Sequence, residues 1–428
     1  MASTYLQRTN TSGTNTFTFS AWVKLCNPEK TANQWIFTSD SSGLMTRDSN
    51  TGADGGEEFH FYNSSNNTNY YSGAKRRDIS GWYHIVLSSN SGTGTLYVNG
   101  ETDKTGIVVP TLSTSSNAMQ IGRLASNGND NFDGLMSHVH FIDGTAYDAS
   151  AFGSVDSATG EWKINTSPSV TYGSQGFFIL KDGNSGTDQS GTSNNLTVGG
   201  ATLTKTEDCP SNVFATGNPL MVKIGTWSNG NNSIVGSSSN GVRPQMWSTL
   251  GAKTGKFYAE AKYTDKSGGM VGVSDYSGTM EMIRGGWYQG YASNSVGFWN
   301  SGQKYIANAT TSYGNAWSNN DIIQIAMDLD NMCVYFGING TWQNSGNPAS
   351  GASKTGGITI PNTRNEDYFM SWGDGSVSQS ATCHVNYGNG YFGTTAVSSA
   401  GTNASNNGIF EYDVPTGYTA LSTKGLNL

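Results

Sequence analysis

Residues 320–342, N-D-I-I-Q-I-A-M-D-L-D-N-M-C-V-Y-F-G-I-N-G-T-W, alternate between apolar and polar positions in two short runs. Ile323, Ile325 and Met327 recur at period two, and Val334, Phe336 and Ile338 repeat the pattern after a polar break. Successive side chains of a strand point to opposite faces of a sheet, so this alternation predicts a half-buried antiparallel pair. Asp328, Leu329, Asp330 and Asn331 supply the reversal, and Asn339-Gly340 supplies another. The same grammar fills residues 82–100, W-Y-H-I-V-L-S-S-N-S-G-T-G-T-L-Y-V-N-G, which again begin with Trp and end in Asn-Gly. Two such hairpins, one in each half, predict two β domains.

In the first half, residues 16–25 form the cleanest strand: Phe17, Phe19, Ala21, Val23 and Leu25 share one face, and Thr18, Ser20, Trp22 and Lys24 the other. W-I-F-T-S from Trp35 and E-F-H-F-Y from Glu58 follow as shorter strands. Residues 132–144, F-D-G-L-M-S-H-V-H-F-I-D-G, alternate too. Simple parity puts Leu135, Val139 and Phe141 on one face and Met136, His138, His140 and Ile142 on the other. The order F-T-F-S-A-W-V-K, W-Y-H-I-V-L-S-S, L-Y-V-N-G, I-G-R and F-D-G-L-M-S-H-V-H-F-I-D-G resembles that of laminin-G-like, concanavalin-A-like lectin/glucanase domains, over about residues 4–200. The resemblance implies a jelly-roll sandwich of two antiparallel sheets.

Residues 204–220 hold Pro210 and Pro219 and lack periodicity, which reads as a linker. Beyond it, G-K-F-Y-A-E, V-G-V-S, G-Q-K-Y and the opening hairpin resemble the SPRY domain, another β-sandwich. The expected fold is therefore all-β, with two antiparallel sandwiches in tandem: residues 1–203 laminin-G-like, 204–220 linker, and 221–428 SPRY-like with a C-terminal tail. Together with D-C-P-S-N-V-F-A-T-G-N-P-L and the ending P-T-G-Y-T-A-L-S-T-K-G-L-N, this architecture is similar to a family of two-domain phage virion proteins. That resemblance implies a structural or adhesive part of a virus particle, either a tail fibre or a capsid decoration, whose partners are other virion proteins. No heptads are visible, and folding is expected from about Thr4, which favours a short fibre, knob or decoration over a long coiled shaft. A homotrimer is the working expectation.

Composition narrows this further. Hydrophobic residues make up 35% of 428, aromatics 11% and charged residues only 13%, against about 25% charged in an average domain. With 56 glycines, this suits short strands and many turns rather than long surface helices. The net charge of −8 and a pI of about 5.1 offer no basic stripe for nucleic acid; Lys75-Arg76-Arg77 reads as a solvated loop. No run of about 18 apolar residues predicts a spanning helix, and the N-terminus lacks the form of a secretory signal. Synthesis in a host cytoplasm and residence on the virion are expected. Cys26, Cys209, Cys333 and Cys383 lie far apart and read as structural thiols.

Candidate chemistry is sparse. The resemblance to lectin/glucanase domains implies, for a retaining enzyme, an E-x-D-x-x-E strand whose outer carboxylates stand about 5 Å apart. Here the nearest string, Glu411-Tyr412-Asp413, continues to Thr416 and falls in the other domain, and the adjacent Glu57 and Glu58 would diverge in a strand. No catalytic residue is expected; the rival function is a virion glycoside hydrolase, a polysaccharide depolymerase. His138 and His140 supply at most half a metal site, and adjacent Cys383 and His384 would point apart. Residues 129–134 imitate half of an EF-hand loop around Asp130 and Asp133, and residues 182–188 space oxygens two apart from Asp182 to Asp188, but Asx-turns explain both. No metal or cofactor is expected. For host-surface glycan, aromatic platforms beside polar loops point to Tyr70 and Tyr71 in the first domain and Trp287 and Tyr288 in the second. Trp299 and Trp342 are expected in the core or at its rim.

Overall fold

The computed structural model describes residues 4–28, 30–46, 57–126, 130–181, 183, 185–222, 224–237 and 243–427. The chain divides into two compact units, Met1–Lys205 with Cys209–Ser211 and Thr206–Asp208 with Asn212–Leu428. Each is an antiparallel β-sandwich.

The first unit has a seven-stranded sheet in the order β15 (Thr197–Gly199), β1 (Tyr5–Arg8), β10 (Met119–Ile121), β3 (Gln34–Ser39), β4 (Ser42–Thr46), β5 (Glu58–Asn63) and β6 (Thr68–Lys75). Facing it are β14 (Phe177–Ile179), β11 (Gly134–Asp143), β2 (Phe17–Leu25), β7 (Tyr83–Asn90), β8 (Thr93–Val98) and β9 (Glu101–Val108). Phe17, Phe19, Ala21, Val23 and Leu25 meet Phe37, Leu44, Phe59 and Phe61 across the core, with the Phe19 and Phe37 rings stacked at 4.6 Å. Both faces of β2 are covered, and all nine of its residues are buried. Residues 145–172, including the small hairpin β12 (Gly153–Val155) and β13 (Trp162–Ile164), lie over the outer face. Thr18 Oγ1 donates to Thr145 O at 2.9 Å, and Phe152, Trp162 and Tyr172 join Val86 and Ile142 in a second small core.

Parity also fails at one point in β11. Its pairing with β2 slips between Ser137 and His140, and His138 has φ +48°. One extra residue in a strand reverses the faces beyond it. Met136 therefore pairs with inward Val23 and packs against the core, leaving Leu135 opposite Lys24 on the other face.

In the second unit one sheet runs β16 (Thr226–Ser228), β17 (Ser233–Val235), β29 (Thr382–Asn386), β19 (Lys256–Asp265), β24 (Ile322–Asp328), β25 (Cys333–Ile338) and β26 (Thr341–Trp342), with β27 (Ile358–Thr359) beside β25. The other runs β18 (Gln245–Trp247), β28 (Tyr368–Asp374), β20 (Gly269–Asp275), β21 (Ser295–Trp299), β22 (Gln303–Ile306) and β23 (Ala309–Ser312). The opening alternation holds: Ile323, Ile325, Met327, Val334 and Phe336 enter the core with Val271, Val296, Phe298 and Trp372, and Met327 pairs with Val334 across the hairpin.

Half-burial does not hold. The outer side of β24 and β25 is covered by the C-terminal segment, where Phe410, Val414 and Tyr418 pack on Tyr258, Ala326 and Tyr335, and β32 (Thr419–Ala420) pairs in parallel with β19. What looked like a tail is a structural layer. The expected linker also gives way. Phe214 and Ala215 are buried, Ala215 N–H donates to Leu421 O at 2.9 Å, and Asn218 N–H donates to Trp247 O at 2.8 Å. From Asn212 on, the segment belongs to the second unit, its lack of periodicity reflecting isolated bridges, Phe214 to Ser422 and Gly217 to Ser248, in place of a continuous strand.

Glu260 sits beneath the C-terminal cover. Its carboxylate accepts from the backbone N–H of Glu411 and of Tyr412, both at 2.9 Å, and from Tyr258 Oη at 2.7 Å. Burial outweighs these donors and pushes its pKa up to about 7. The two Asn-Gly turns also touch covers. Asn99 and Gly100 have φ of +49° and +86°, Asn339 and Gly340 +49° and +80°, the left-handed pair that two-residue hairpin turns demand. A Cβ on Gly100 would meet the Trp162 ring at 2.5 Å, and one on Gly340 the Tyr412 ring at 2.8 Å.

Two outcomes follow. Gly340→Ala is expected to destabilise the second unit by about 1–2 kcal/mol through the left-handed backbone alone, more if Tyr412 must move, read as a lowered unfolding midpoint in denaturant. Glu260 favours its proton in the fold, so its contribution is full below its unfolded pKa near 4.5 and is lost as pH rises through about 7. Glu260→Gln should therefore remove about 3 kcal/mol of pH-dependent stability between pH 4.5 and 8. Wild-type and variant melting curves that run parallel over that range would contradict this.

Candidate functional site

The second unit gathers aromatic side chains at one place, and two helix ends explain why. Asp275, the last residue of β20, caps α1 (Tyr276–Gly285) by accepting from Gly278 N–H, at 2.7 Å. Gly286 ends the helix in the left-handed region, φ +64°, as a C-terminal cap requires. The chain then reverses, and Trp287 N–H donates back to Met282 O at 2.8 Å. Trp287, 38% exposed, stacks on Tyr291 with centroids 4.4 Å apart and planes 10° apart. Tyr288 meets Tyr291 edge-on at 5.7 Å and Tyr305 at 5.3 Å, and Tyr305 lies 5.4 Å from Trp299. Five half-exposed rings make one stepped shelf, in which only Trp287 and Tyr291 lie parallel.

Polar groups border it. Arg243 holds its guanidinium 5.3 Å over the Tyr288 ring, donates from Nε to Gly375 O at 2.7 Å and from Nη1 to Gly286 O. Burial lowers its pKa, opposed by Tyr288 and Asp374; burial also pushes Asp374 up to about 6. Tyr288 Oη donates to Asn308 Oδ1. Behind Trp287 lies a cavity of about 260 Å³. Met221, Val222, Ile224, Met282 and Ile283 form its apolar wall. Arg243 and Gln245 form its polar wall, and Gln245 Nε2 donates to Trp287 O at 2.5 Å.

Trp287 and Tyr288 lie in one cluster with Tyr291, Trp299, Tyr305 and Arg243. Trp299 is at the rim of its sheet, and parity could have found its role: Phe298 enters the core, so Trp299 faces out. Trp342 packs against the Tyr258 cluster instead. Tyr70 and Tyr71 are not brought together. They are neighbours on edge strand β6, so Tyr70 turns in to the core while Tyr71 lies 5.2 Å from His60 on the opposite face. One ring each is no platform.

The oxygen-rich loops have local uses. The Asp188 carboxylate accepts from the N–H groups of Phe178, Ser190 and Asn194, each at 2.8–2.9 Å. Burial works against its charge, and these donors overcome that and hold the carboxyl below its usual range. Asp182 lies outside the described residues. Beside Asp133, whose pKa is raised by burial, Lys30 Nζ already occupies Asn131 O at 2.9 Å. Among the described residues no group of three His, Cys, Asp or Glu side chains is placed to hold a metal.

A family model of the concanavalin A-like lectin/glucanases superfamily (Laminin_G_3) matches residues 2–151. No curated protein matches the chain. Among solved structures it is similar to a candidate carbohydrate-binding protein from Bacteroides ovatus, at 18% identity over 47% of this chain and 60% of that one, with a TM-score of 0.33. It therefore spans about three fifths of that protein's length. It is similar also to the TRIM65 PSpry domain, at 14% identity over 40% of this chain and 91% of that one, TM-score 0.30. A third similar structure is domain 4 of AbnA, a GH43 extracellular arabinanase from Geobacillus stearothermophilus, in complex with arabinotriose, at 21% identity over 32% of this chain and 64% of that one, TM-score 0.25.

Several titratable groups that could suggest hydrolysis have structural partners. Glu411 accepts from Ser398 N–H at 2.6 Å, and Asp413 from Thr402 N–H at 2.6 Å and Oγ1 at 2.8 Å, so both staple the C-terminal cover. Glu57 pairs with Arg77. Cys383 is buried in the core, its thiol pushed up by that burial, while His384 turns away to Ser233 Oγ at 2.7 Å. His140 stacks on Phe178 at 3.9 Å and meets Tyr172 Oη at 2.9 Å. His84 and Ser20 stand 2.9 Å apart and look like a nucleophile and its base. They cannot act so. Trp162 Nε1 lies 3.0 Å from His84 Nδ1 and can only donate, so the neutral ring carries its proton on Nε2 and donates to Ser20. Burial lowers the His84 pKa to about 3. Histidine-labelled NMR is expected to show His84 as the Nε2–H tautomer with no titration between pH 5 and 8; an imidazolium signal at pH 6 would overturn the assignment.

Proposed function

We propose that the chain is a non-enzymatic structural protein on the exterior of a bacteriophage particle, a short tail fibre, knob or capsid decoration, and that its second unit attaches to host-surface glycan. The observation that carries the glycan reading is the shelf of Trp287, Tyr288, Tyr291, Trp299 and Tyr305 beside Arg243 and Asn308. Aromatic faces accept the C–H side of a sugar ring, and adjacent polar groups read its hydroxyls. The virion setting is supported by the likeness in motif order to two-domain phage proteins, and by a surface rich in Asn, Ser and Thr and poor in charge. Each contact of this kind is weak, and many copies on one particle raise the avidity. Its other partners are then capsid or tail proteins.

Trp287→Ala is expected to weaken glycan binding about tenfold, a loss of about 1.4 kcal/mol, while leaving the melting temperature nearly unchanged, as read on a glycan array and by calorimetry. New reducing ends on incubation with host polysaccharide would replace this reading with a depolymerase. A density map of the intact particle would place the chain on capsid or tail.

A further inference from the structure

We infer that the sugar taken by this shelf is acidic and acylated: a carboxylate meets Arg243, and an acyl substituent fills the cavity behind Trp287. This rests on the glycan reading above and narrows its ligand class. Arg243 spends Nε and Nη1 on two backbone carbonyls, those of Gly375 and Gly286. Its Nη2 has no hydrogen-bond partner among the described residues, and none of their carboxylates forms an ion pair with it. Asp374, the nearby acid, directs its oxygens to Ser376 N–H at 2.6 Å and Ala381 N–H at 3.2 Å. Asp374 offsets part of the guanidinium's burial through its charge but makes no ion pair with it, which leaves Nη2 for an acceptor from outside the chain. A ligand carboxylate on Nη2 would complete it with a charge-assisted hydrogen bond.

The cavity specifies the second group. At about 260 Å³ it lies near the lower end of the about 300–1,000 Å³ of ligand pockets, with room for a substituent of a sugar held on the rings outside. Against the apolar wall a hydroxyl finds no side-chain partner. Gln245 has both ends engaged, Nε2 with Trp287 O and Oε1 with Trp247 Nε1 at 3.1 Å, and Met221, Val222, Ile224, Met282 and Ile283 offer no partner. The methyl end of an acyl group needs none, its carbonyl has the polar wall of Arg243 and Gln245 to face, and methionine walls adapt to its shape. Arg243 and Trp287 both line this cavity, so the ring platform, the cation and the apolar recess lie within the span of one substituted sugar.

The full chain would be titrated by ligand-observed NMR with four methyl glycosides: N-acetylneuraminic acid (carboxylate and acetamido), glucuronic acid (carboxylate), N-acetylglucosamine (acetamido) and glucose (neither). The first is expected to bind about tenfold or more tighter than glucose, with the other two between. Arg243→Gln should bring glucuronide down to the glucoside level, and Arg243→Lys should restore part of the difference. Ile283→Trp, which fills the recess, should abolish the acetamido advantage while keeping the carboxylate one, and it serves if Arg243→Gln does not fold. Equal binding of all four glycosides, lost in Trp287→Ala, overturns the inference and leaves the glycan reading standing. No Trp287-dependent binding of any of them overturns both.

Discussion

A sheet that carries large aromatic side chains outward presents an apolar face that must be covered, and both units are organised by that constraint. In the first, Trp22 and His84 occupy the outer side of the β2 sheet; in the second, Tyr258, Glu260 and Tyr335 occupy that of the β24 sheet. Each is covered by chain that is mostly not strand. Backbone N–H groups in such a cover must find acceptors, and Glu260 supplies one from within the sheet to two successive residues of the cover. The same burial that makes the carboxylate useful as an acceptor makes its charge expensive, which is why its proton affinity rises.

Inward faces were legible from the sequence because period-two alternation is a local signal. The hairpins at residues 82–100 and 320–342, their Asn-Gly turns and the sandwich class could all be read from it. Burial of the opposite faces could not, because the covering residues lie far away in sequence and carry no period of their own. The slip at His138 escaped for a different reason: a bulge leaves composition untouched and changes only parity after it. The segment after Asn212 looked like a linker because it packs through single residues such as Phe214 rather than through a repeating face.

The site was half legible. Trp287 and Tyr288 stood out as adjacent aromatics in a glycine-rich stretch, but the same argument selected Tyr70 and Tyr71, which a continuous strand sends to opposite sides. What separates the two pairs is the backbone between them. Gly286 ends α1 in a left-handed turn and lets two neighbouring rings lean to one side, while Trp299 and Tyr305 arrive from adjoining strands. Arg243 was invisible in sequence, since its importance lies in the backbone carbonyls it grips and not in any motif.

Both units close by joining their beginnings to their ends. Tyr5 pairs with Gly199 in one, and in the other Val213 N–H reaches Thr423 Oγ1 across 210 residues. Contacts so distant along the chain are slow to form. On the ribosome, neither sandwich can complete its fold until its final segment has emerged, and until then aromatic sheet faces stand exposed. The ordering of synthesis therefore lets the first unit finish alone, while the second waits for residues near Thr423.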